Sequence, residues 1–131
     1  ELSWNATLVG SGGDRTAVPV LQIETQKGWM LNFAAGAMSD DVSLVRTDAT
    51  GFFRQYMGPP ADAVETPYRR MLTLWPICMV EGDAATMATV EASACPAGQM
   101  EIGTDVRVQV AWTVSGRGHV LNMQETLYDW R

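Results

Sequence analysis

The sequence predicts an α+β, β-rich fold in which an antiparallel sheet carries one short helix, with a β-sandwich as the alternative. The strongest evidence is the strict alternation of apolar and polar side chains over residues 105–114, which ends in a glycine-containing turn. Further strand-like runs begin at Tyr68. The 131 residues are 47% hydrophobic, enough for one continuous core. We therefore expect a single domain over residues 1–131, with its C-terminal sheet at about 68–130.

The first third of the chain carries weaker strand signals. Residues 17–24 alternate like a strand, but Pro19 lacks the N–H that a central strand donates, so an edge strand is expected. Residues 28–38 are apolar almost throughout. A buried helix and a buried strand are both compatible with a run of this length.

One short amphipathic helix is expected at residues 47–57. Thr47 or Asp48 could cap its free amides, and Gly58, which two prolines follow, would end it. Four apolar side chains in this segment share helical i, i+1, i+4, i+5 spacing, namely Phe52, Phe53, Tyr56 and Met57. Residues 60–67 are then expected to form a polar connector bounded by prolines.

The second half of the chain is the most strongly β part. Residues 68–75 alternate, and Pro76 is expected to end that strand, while residues 86–94 are a weaker candidate because they are small. Residues 105–114 carry the clearest pattern, which predicts a half-buried strand. Its apolar face consists of Val106, Val108, Val110, Trp112 and Val114.

This strand is expected to return on itself as a β-hairpin. Residues 115–118, Ser-Gly-Arg-Gly, supply the positive φ angles that a tight reversal needs. Residues 119–128 then return with Leu121, Met123 and Leu127 in phase. Glu125 falls in the same phase, so either a bulge shifts the register or the strand leaves the core before its end.

The charge distribution argues against nucleic-acid binding. Fifteen acidic residues against nine basic ones give a net charge of -6, and no basic run is longer than Arg69-Arg70. Release of counterions from nucleic acid requires clustered cations. Binding to anionic membranes is disfavoured for the same reason. No apolar run reaches the ~18 residues of a membrane-spanning helix.

The two cysteines, Cys78 and Cys95, belong to no CxxC pair and lie far in sequence from the single histidine. A metal site is therefore poorly supported, and no cofactor is expected. A disulfide would close a loop of about 17 residues and stabilise the fold by roughly 3 kcal/mol. Two buried thiols are the alternative. The even count, the flanking prolines and the near absence of Lys favour a disulfide in an exported chain.

No pattern of catalytic side chains is present in the sequence. The histidine, His119, follows a turn and has no acid near it in sequence, so an exposed strand position is expected. The adjacent Asp40 and Asp41 follow Ser39 and are expected in a solvated turn. We therefore expect that the protein is not an enzyme.

The order of motifs in the C-terminal half resembles that of one family. These motifs are the YRRMLTLW run at residues 68–75, a variable cysteine-containing stretch, VRVQVAW at 106–112, GRGH at 116–119, and the segment from Leu121 to Leu127. In this respect the chain is similar to minor pilins of type IV pili, of the PilV kind, and to minor pseudopilins of type II secretion systems. Those proteins commonly end in a V-x-V-x-W strand, a Gly-Arg turn and a last strand.

The resemblance implies a pilin-like fold, in which a long N-terminal helix lies on the antiparallel sheet and its apolar first half anchors in the inner membrane. That helix would lie upstream of Glu1, and it would be the only contact with a membrane. The implied function is structural, as a periplasmic minor subunit that joins other pilus or pseudopilus subunits in fibre priming or at the tip. The sheet edge and the last residues, Tyr128, Trp130 and Arg131, would contact neighbouring subunits. An extracytoplasmic β-sandwich that binds a ligand or acts in adhesion is the alternative.

Overall fold

The computed structural model describes residues 8–10, 13–22, 28–33 and 36–129. These residues form an antiparallel, β-rich fold, as the sequence predicts. A single 3₁₀ turn, Asp41–Ser43, is the only helical element in this part of the chain. The strands are β1 (Thr16–Gln22), β2 (Gly28–Asn32), β3 (Leu44–Thr47), β4 (Phe53–Arg54), β5 (Val64–Val80), β6 (Asp83–Thr89), β7 (Gln99–Val114) and β8 (Arg117–Tyr128).

Strand β5 organises the sheet because it is long enough to pair with several strands. One edge of β5 pairs with β7, and β7 pairs in turn with β8. Along its other edge, β5 pairs first with β3, then with the start of β1 and then with β6. Hairpin pairing adds β2 to β1 and β4 to β3. All of these pairs are antiparallel, so short connections suffice to join them.

The predicted C-terminal hairpin is confirmed, with a shorter turn. Val114 lies opposite Arg117, so the turn contains only Ser115 and Gly116, with φ angles of 49° and 76°. Two positive φ angles are typical of a type I′ turn, whose twist matches that of the strands. The predicted turn at 115–118 is thus corrected, since Arg117 and Gly118 belong to β8.

Glu125 does not mark a bulge. The register between β7 and β8 continues without a shift, and Glu125 lies opposite Val106. Every β8 residue from Arg117 to Leu127 is exposed. Of the two alternatives for Glu125, the strand that leaves the core is therefore the one observed. It applies to the whole strand, because β8 lies outside the core along its entire length.

The helix predicted at residues 47–57 is wrong. The Asp48 carboxylate accepts hydrogen bonds from the backbone N–H groups of Thr50 and Phe52, which closes a tight loop between β3 and β4. Side chains of Asp that bond nearby amides in this way compete with helix formation. The helical spacing of Phe52 and Phe53 was misleading because both side chains are exposed.

Proline interrupts the strands less than the sequence indicates. Strand β5 begins at Val64, inside the predicted connector, and continues through Pro67 and Pro76. The register with β7 shifts between Ile77 and Cys78, and the N–H that Pro76 lacks would have faced the β6 side, not β7. The Pro76 carbonyl still accepts a hydrogen bond from the N–H of Val90, at 2.9 Å.

The other weakly predicted segments are also strands. For the apolar run at residues 28–38, a buried helix and a buried strand were both open. The structure has a strand there, β2, at residues 28–32. Strand β1 lies between β2 and β5 rather than at an edge, but it pairs with β5 only at Thr16 and Ala17. Pro19 pairs with β2 alone, so its missing N–H interrupts no central ladder. Strand β6 ends earlier than predicted, at Thr89, and residues 23 and 24 lie outside the described residues.

The core cluster lies against β5. Val18 and Val20 from β1 pack with Met71, and Met38 and Val42 lie against them. The adjacent loop is anchored by Arg69, whose guanidinium donates hydrogen bonds to the carbonyls of Met38 and Asp40 and to the Ser43 hydroxyl. These charge-assisted bonds keep the loop on this face of the sheet.

The expected disulfide is present between Cys78 and Cys95, 17 residues apart in sequence. It ties the loop after β6 to the middle of the sheet. Arg15, itself buried, donates hydrogen bonds to the Ser93 carbonyl in that loop and forms an ion pair with Glu101. Disulfides persist in oxidising compartments, so this bond indicates an extracytoplasmic environment.

Candidate interaction surface

The apolar stripe predicted on residues 106–114 continues across the neighbouring strand. Val110 lies opposite Leu121, and Val108 lies opposite Met123. Because opposed residues in an antiparallel pair share a face, these side chains form one surface. We call it the Val/Trp face, made up of Val106, Val108, Val110, Trp112 and Val114 of β7 with Leu121, Met123 and Leu127 of β8.

The β8 side of the Val/Trp face is open to solvent. Leu121 is 51% exposed and Met123 is 63% exposed, and Val114 at the end of β7 is exposed as well. A half-buried strand normally hides such a stripe, but here the stripe is buried only toward β5, where Leu74 is almost fully covered. Contiguous exposed apolar side chains on a protein surface mark sites of interaction.

Three aromatic rings cross the Val/Trp face near the turn. The Tyr68 and Trp112 ring centroids are 5.9 Å apart and tilted by 53°. Trp112 is also stacked on His119, with centroids 5.4 Å apart. The row fixes the orientation of Trp112, which is therefore a rigid apolar contact point at this end of the sheet.

Strand β8 also has a free edge. In the described part of the chain it pairs only with β7. Its sequence, RGHVLNMQETLY, contains no Pro and no Lys, and its register is free of bulges. Proline, lysine and β-bulges are the features with which proteins ordinarily protect a long edge strand from pairing. Because β8 has none of them, its edge is able to accept a further strand.

A second exposed apolar group lies at the opposite side of the sheet. The Arg54 guanidinium lies 5.8 Å from the ring centroids of both Trp29 and Phe52. Phe53 and Met57 beside them are also exposed. We call this group of Trp29, Phe52, Phe53, Met57 and Arg54 the β4 aromatic cluster. The sequence did not indicate it because Phe52, Phe53 and Met57 matched a helical period and Trp29 lies in a separate apolar run.

The β4 aromatic cluster rests on a preorganised loop. Asp48 accepts hydrogen bonds from the Thr50 hydroxyl and forms an ion pair with Arg54 at 2.7 Å. These contacts hold the pKa of the Asp48 carboxyl well below its usual value. Asp at the start of a turn followed by Gly51 was the available signal for this loop.

The remaining predicted site residues have structural positions or lie outside the described chain. Tyr128 is half-buried at the end of β8, opposite Gly103. Trp130 and Arg131 fall outside the described residues. The Asp40 carboxylate accepts hydrogen bonds from the backbone N–H groups of Gly36 and Ala37 in a turn, as expected. Asp41 forms an ion pair with Arg46.

The described residues contain no group of three or more His, Cys, Asp or Glu that could hold a metal ion. A groove of about 400 Å³ lies on the face opposite the Val/Trp face, where Met71 and Trp75 adjoin Arg107 and Glu91. These two charges form an ion pair with each other. Their mutual hydrogen bond raises the pKa of Arg107.

Comparisons with family models, curated proteins and solved structures match nothing to this chain. Evidence about function therefore comes from its own residues. Across the ranges that the structure describes, no helix has the length and apolar character needed to span a bilayer. The exposed Val/Trp face and the free edge of β8 are the features that a function must explain.

Proposed function

We propose that this chain is a non-enzymatic structural subunit, a minor pilin of a type IV pilus or a minor pseudopilin of a type II secretion pseudopilus. The observation that carries the proposal is the long terminal hairpin of β7 and β8, which presents an apolar face to solvent. A subunit whose sheet packs on a helix requires such a face. The resemblance of this same hairpin to the family supports the proposal independently of its burial.

The occupant proposed for the Val/Trp face is an apolar helix that precedes Glu1 in the full gene product. Leu121, Met123 and Val114 would lose solvent exposure on docking. Full burial of an exposed side chain of this kind is worth about 1.5–3 kcal/mol, and since these three are already about half covered, docking would add roughly half of that for each. The subunit would then be anchored in the inner membrane and face the periplasm before assembly, where the Cys78–Cys95 disulfide is stable.

The proposed partners are other pilus or pseudopilus subunits. The net charge of -6 and the scattered basic residues fit protein partners better than nucleic acid. Tyr128 and the residues that follow it are proposed to lie at such a contact, together with the sheet edge.

The first test is to read the coding sequence upstream of Glu1. The proposal requires a stretch of about 20 apolar residues there, long enough to span the membrane. A precursor that lacks this stretch would contradict it.

The second test is complementation of a strain from which the gene is deleted. Fibre number, counted by electron microscopy, or secretion by the type II pathway should fall on deletion and return with the wild-type gene. Met123→Asp should fail to complement, because it places a charge on the Val/Trp face. Val120→Asp is the matched control, since Val120 is 56% exposed, close to the 63% of Met123, and lies on the opposite face of β8. Unchanged fibres and secretion after deletion would overturn the proposal.

A second candidate is an extracytoplasmic module that binds a ligand or a protein through its loops. The β4 aromatic cluster favours it, because exposed Trp29 and Phe52 beside a fixed guanidinium form a preorganised contact point. It predicts a cleavable signal peptide, in place of an anchor helix, and stable monomers. Phe52→Ser should then abolish binding while leaving the unfolding midpoint of the protein unchanged.

A further inference from the structure

We propose that β8 is a homodimerisation edge, through which two copies of this chain pair antiparallel about a twofold axis at Asn122. The proposal is tested without fibre assembly, because it pairs the β8 edges of two copies, an edge that a fibre neighbour would otherwise occupy, and leaves the Val/Trp face free. It rests on the length of the strand, whose twelve residues pair in unbroken register with β7 on one side only within the described chain.

The hydrogen-bonding groups of β8 divide cleanly between its two edges. In a two-residue hairpin, the residues that flank the turn, Val114 and Arg117, bond to each other. At the far end, Asp129 donates its N–H to the Ile102 carbonyl at 2.9 Å. Since bonding alternates along an antiparallel strand, the odd-numbered residues bond to β7. The even-numbered residues direct their N–H and C=O groups outward, and these are Gly118, Val120, Asn122, Gln124 and Thr126.

A twofold axis perpendicular to the sheet pairs residues on the same face, which restricts the possible registers. With the axis at Asn122, residues 117–127 pair with the same range of the second copy. His119 then lies opposite Glu125 of the second copy, and Leu121 lies opposite Met123 of the second copy. Each contact occurs twice. These are non-hydrogen-bonded pairs, in which side chains approach most closely.

The neighbouring registers are less complementary. An axis at Met123 places Glu125 opposite Leu121 and His119 opposite Leu127, so that polar groups face apolar ones. An axis at Leu121 places Arg117 opposite Glu125 and Leu121 opposite its own copy, but it shortens the paired segment to residues 117–125. The register at Asn122 pairs eleven residues rather than nine and sets His119 opposite Glu125 and Leu121 opposite Met123, with one mismatch, Arg117 opposite Leu127; overlap and cross-strand pairs of this kind specify pairing in sheets.

The resulting assembly is closed. Both β8 edges are consumed at a single isologous interface, so the contact yields a dimer and not a filament. The Leu121–Met123 contacts join the two Val/Trp faces into one continuous apolar surface across the axis. Pairing of the edge also removes the aggregation hazard that an unprotected strand presents.

Oxidative cross-linking tests the register. Asn122→Cys places two thiols on the axis with Cα atoms about 5.5 Å apart, within the disulfide range. Val120→Cys is the matched control, because its two copies would be offset by four residues, about 14 Å along the strand. Under mild oxidation, Asn122→Cys should give a reducible covalent dimer and Val120→Cys should not. Equal cross-linking of both variants, or of neither, would overturn the proposal.

A charge exchange tests the pairing without cross-links. Glu125→Lys should raise the dimer dissociation constant about fivefold, measured by sedimentation velocity over a concentration series, because Lys would face His119. Adding His119→Glu should restore it to within about twofold. The two positions are six residues apart on one strand, too far for contact within a monomer. A double variant as weak as the single one would refute the register.

Native folding of each variant is checked by near-ultraviolet circular dichroism. A wild-type chain that remains monomeric at every concentration contradicts the proposal. This holds even if the Asn122 amide is protected from hydrogen exchange, because a segment of the same chain would then occupy the edge. Dimerisation that survives Asn122→Pro also contradicts it, because that substitution removes an outward N–H and no backbone bond to β7; of the bonds to β7 it removes only the side-chain hydrogen bond from Gln109.

Discussion

The imidazole of His119 is stacked on the indole of Trp112, with ring centroids 5.4 Å apart and planes 16° apart. Trp112 also contacts Tyr68. We therefore expect Trp112→Ala to lower the free energy of unfolding more than His119→Ala, which should cost about 0.5–1 kcal/mol. Urea unfolding measures both. Thr113→Ala, on the opposite face of β7, is the control and should be near neutral; a larger loss for His119→Ala than for Trp112→Ala would contradict the arrangement.

Ser115 carries an unfavourable φ of 49° in the two-residue turn. A non-glycine residue in the left-handed region costs about 1–2 kcal/mol, and Asn tolerates it better than Ser. Ser115→Asn should therefore stabilise the protein by up to about 1 kcal/mol, whereas Ser115→Val should destabilise it. Thermal unfolding at fixed protein concentration gives the ranking, and the reverse order would rule out a type I′ turn.

Gly103 is required where β8 ends against β7. A Cβ at this position would lie 2.6 Å from the Leu127 carbonyl oxygen and 3.0 Å from a ring atom of Tyr128. Gly103→Ala should cost about 2 kcal/mol, because backbone must move to admit the methyl group. Gly118→Ala is the matched control, since a Cβ there meets open space. Equal unfolding free energies for the two variants would contradict this packing.

The Cys78–Cys95 disulfide should contribute about 3 kcal/mol to stability, because it closes a 17-residue loop in the unfolded chain. Unfolding in urea with and without reductant measures this contribution. The double variant Cys78→Ala, Cys95→Ala should match the reduced protein to within the cost of two small cavities. Thiol titration of the denatured, unreduced protein should find no reactive thiol, and two reactive thiols would disprove the bond.

Asp48 should make stability sensitive to acid. Hydrogen bonds from Thr50 and Arg54 lower the pKa of its carboxyl from the ordinary 3.8. A group whose pKa is lower in the folded state stabilises the fold above its unfolded pKa, and that contribution is lost as the pH falls toward the folded pKa. The difference in unfolding free energy between wild type and Asp48→Asn should thus be constant above about pH 5 and shrink below pH 4.

Thr50→Ala provides the matched variant for this prediction, because it removes the hydrogen bond that lowers the Asp48 pKa most and leaves the carboxylate in place. The Asp48 pKa, followed by NMR, should move toward its ordinary value. An Asp48 that titrates near its ordinary value in the wild type would contradict the loop geometry.

The hairpin of β7 and β8 was predictable because its information is local. Alternation with a period of two and a Ser-Gly turn act within a few residues of each other, and the observed register follows from them. The Cys78–Cys95 bond was predictable from cysteine count and composition. The helix at residues 47–57 failed for the opposite reason, since the apolar period of Phe52 and Phe53 is helical but their side chains are not buried.

By itself, the sequence determined which residues alternate and, to within two residues, where the chain reverses, since both depend on backbone sterics and local chemistry; it also favoured a disulfide over two buried thiols. The tertiary structure alone decided that β5 passes through Pro76, that Arg69 anchors the loop at residues 38–43, and that β8 lies outside the core. An alternating strand has an apolar face whatever covers it. Coverage depends on distant segments and on partners, so the same Val and Trp stripe is compatible with a buried core and with the open surface observed.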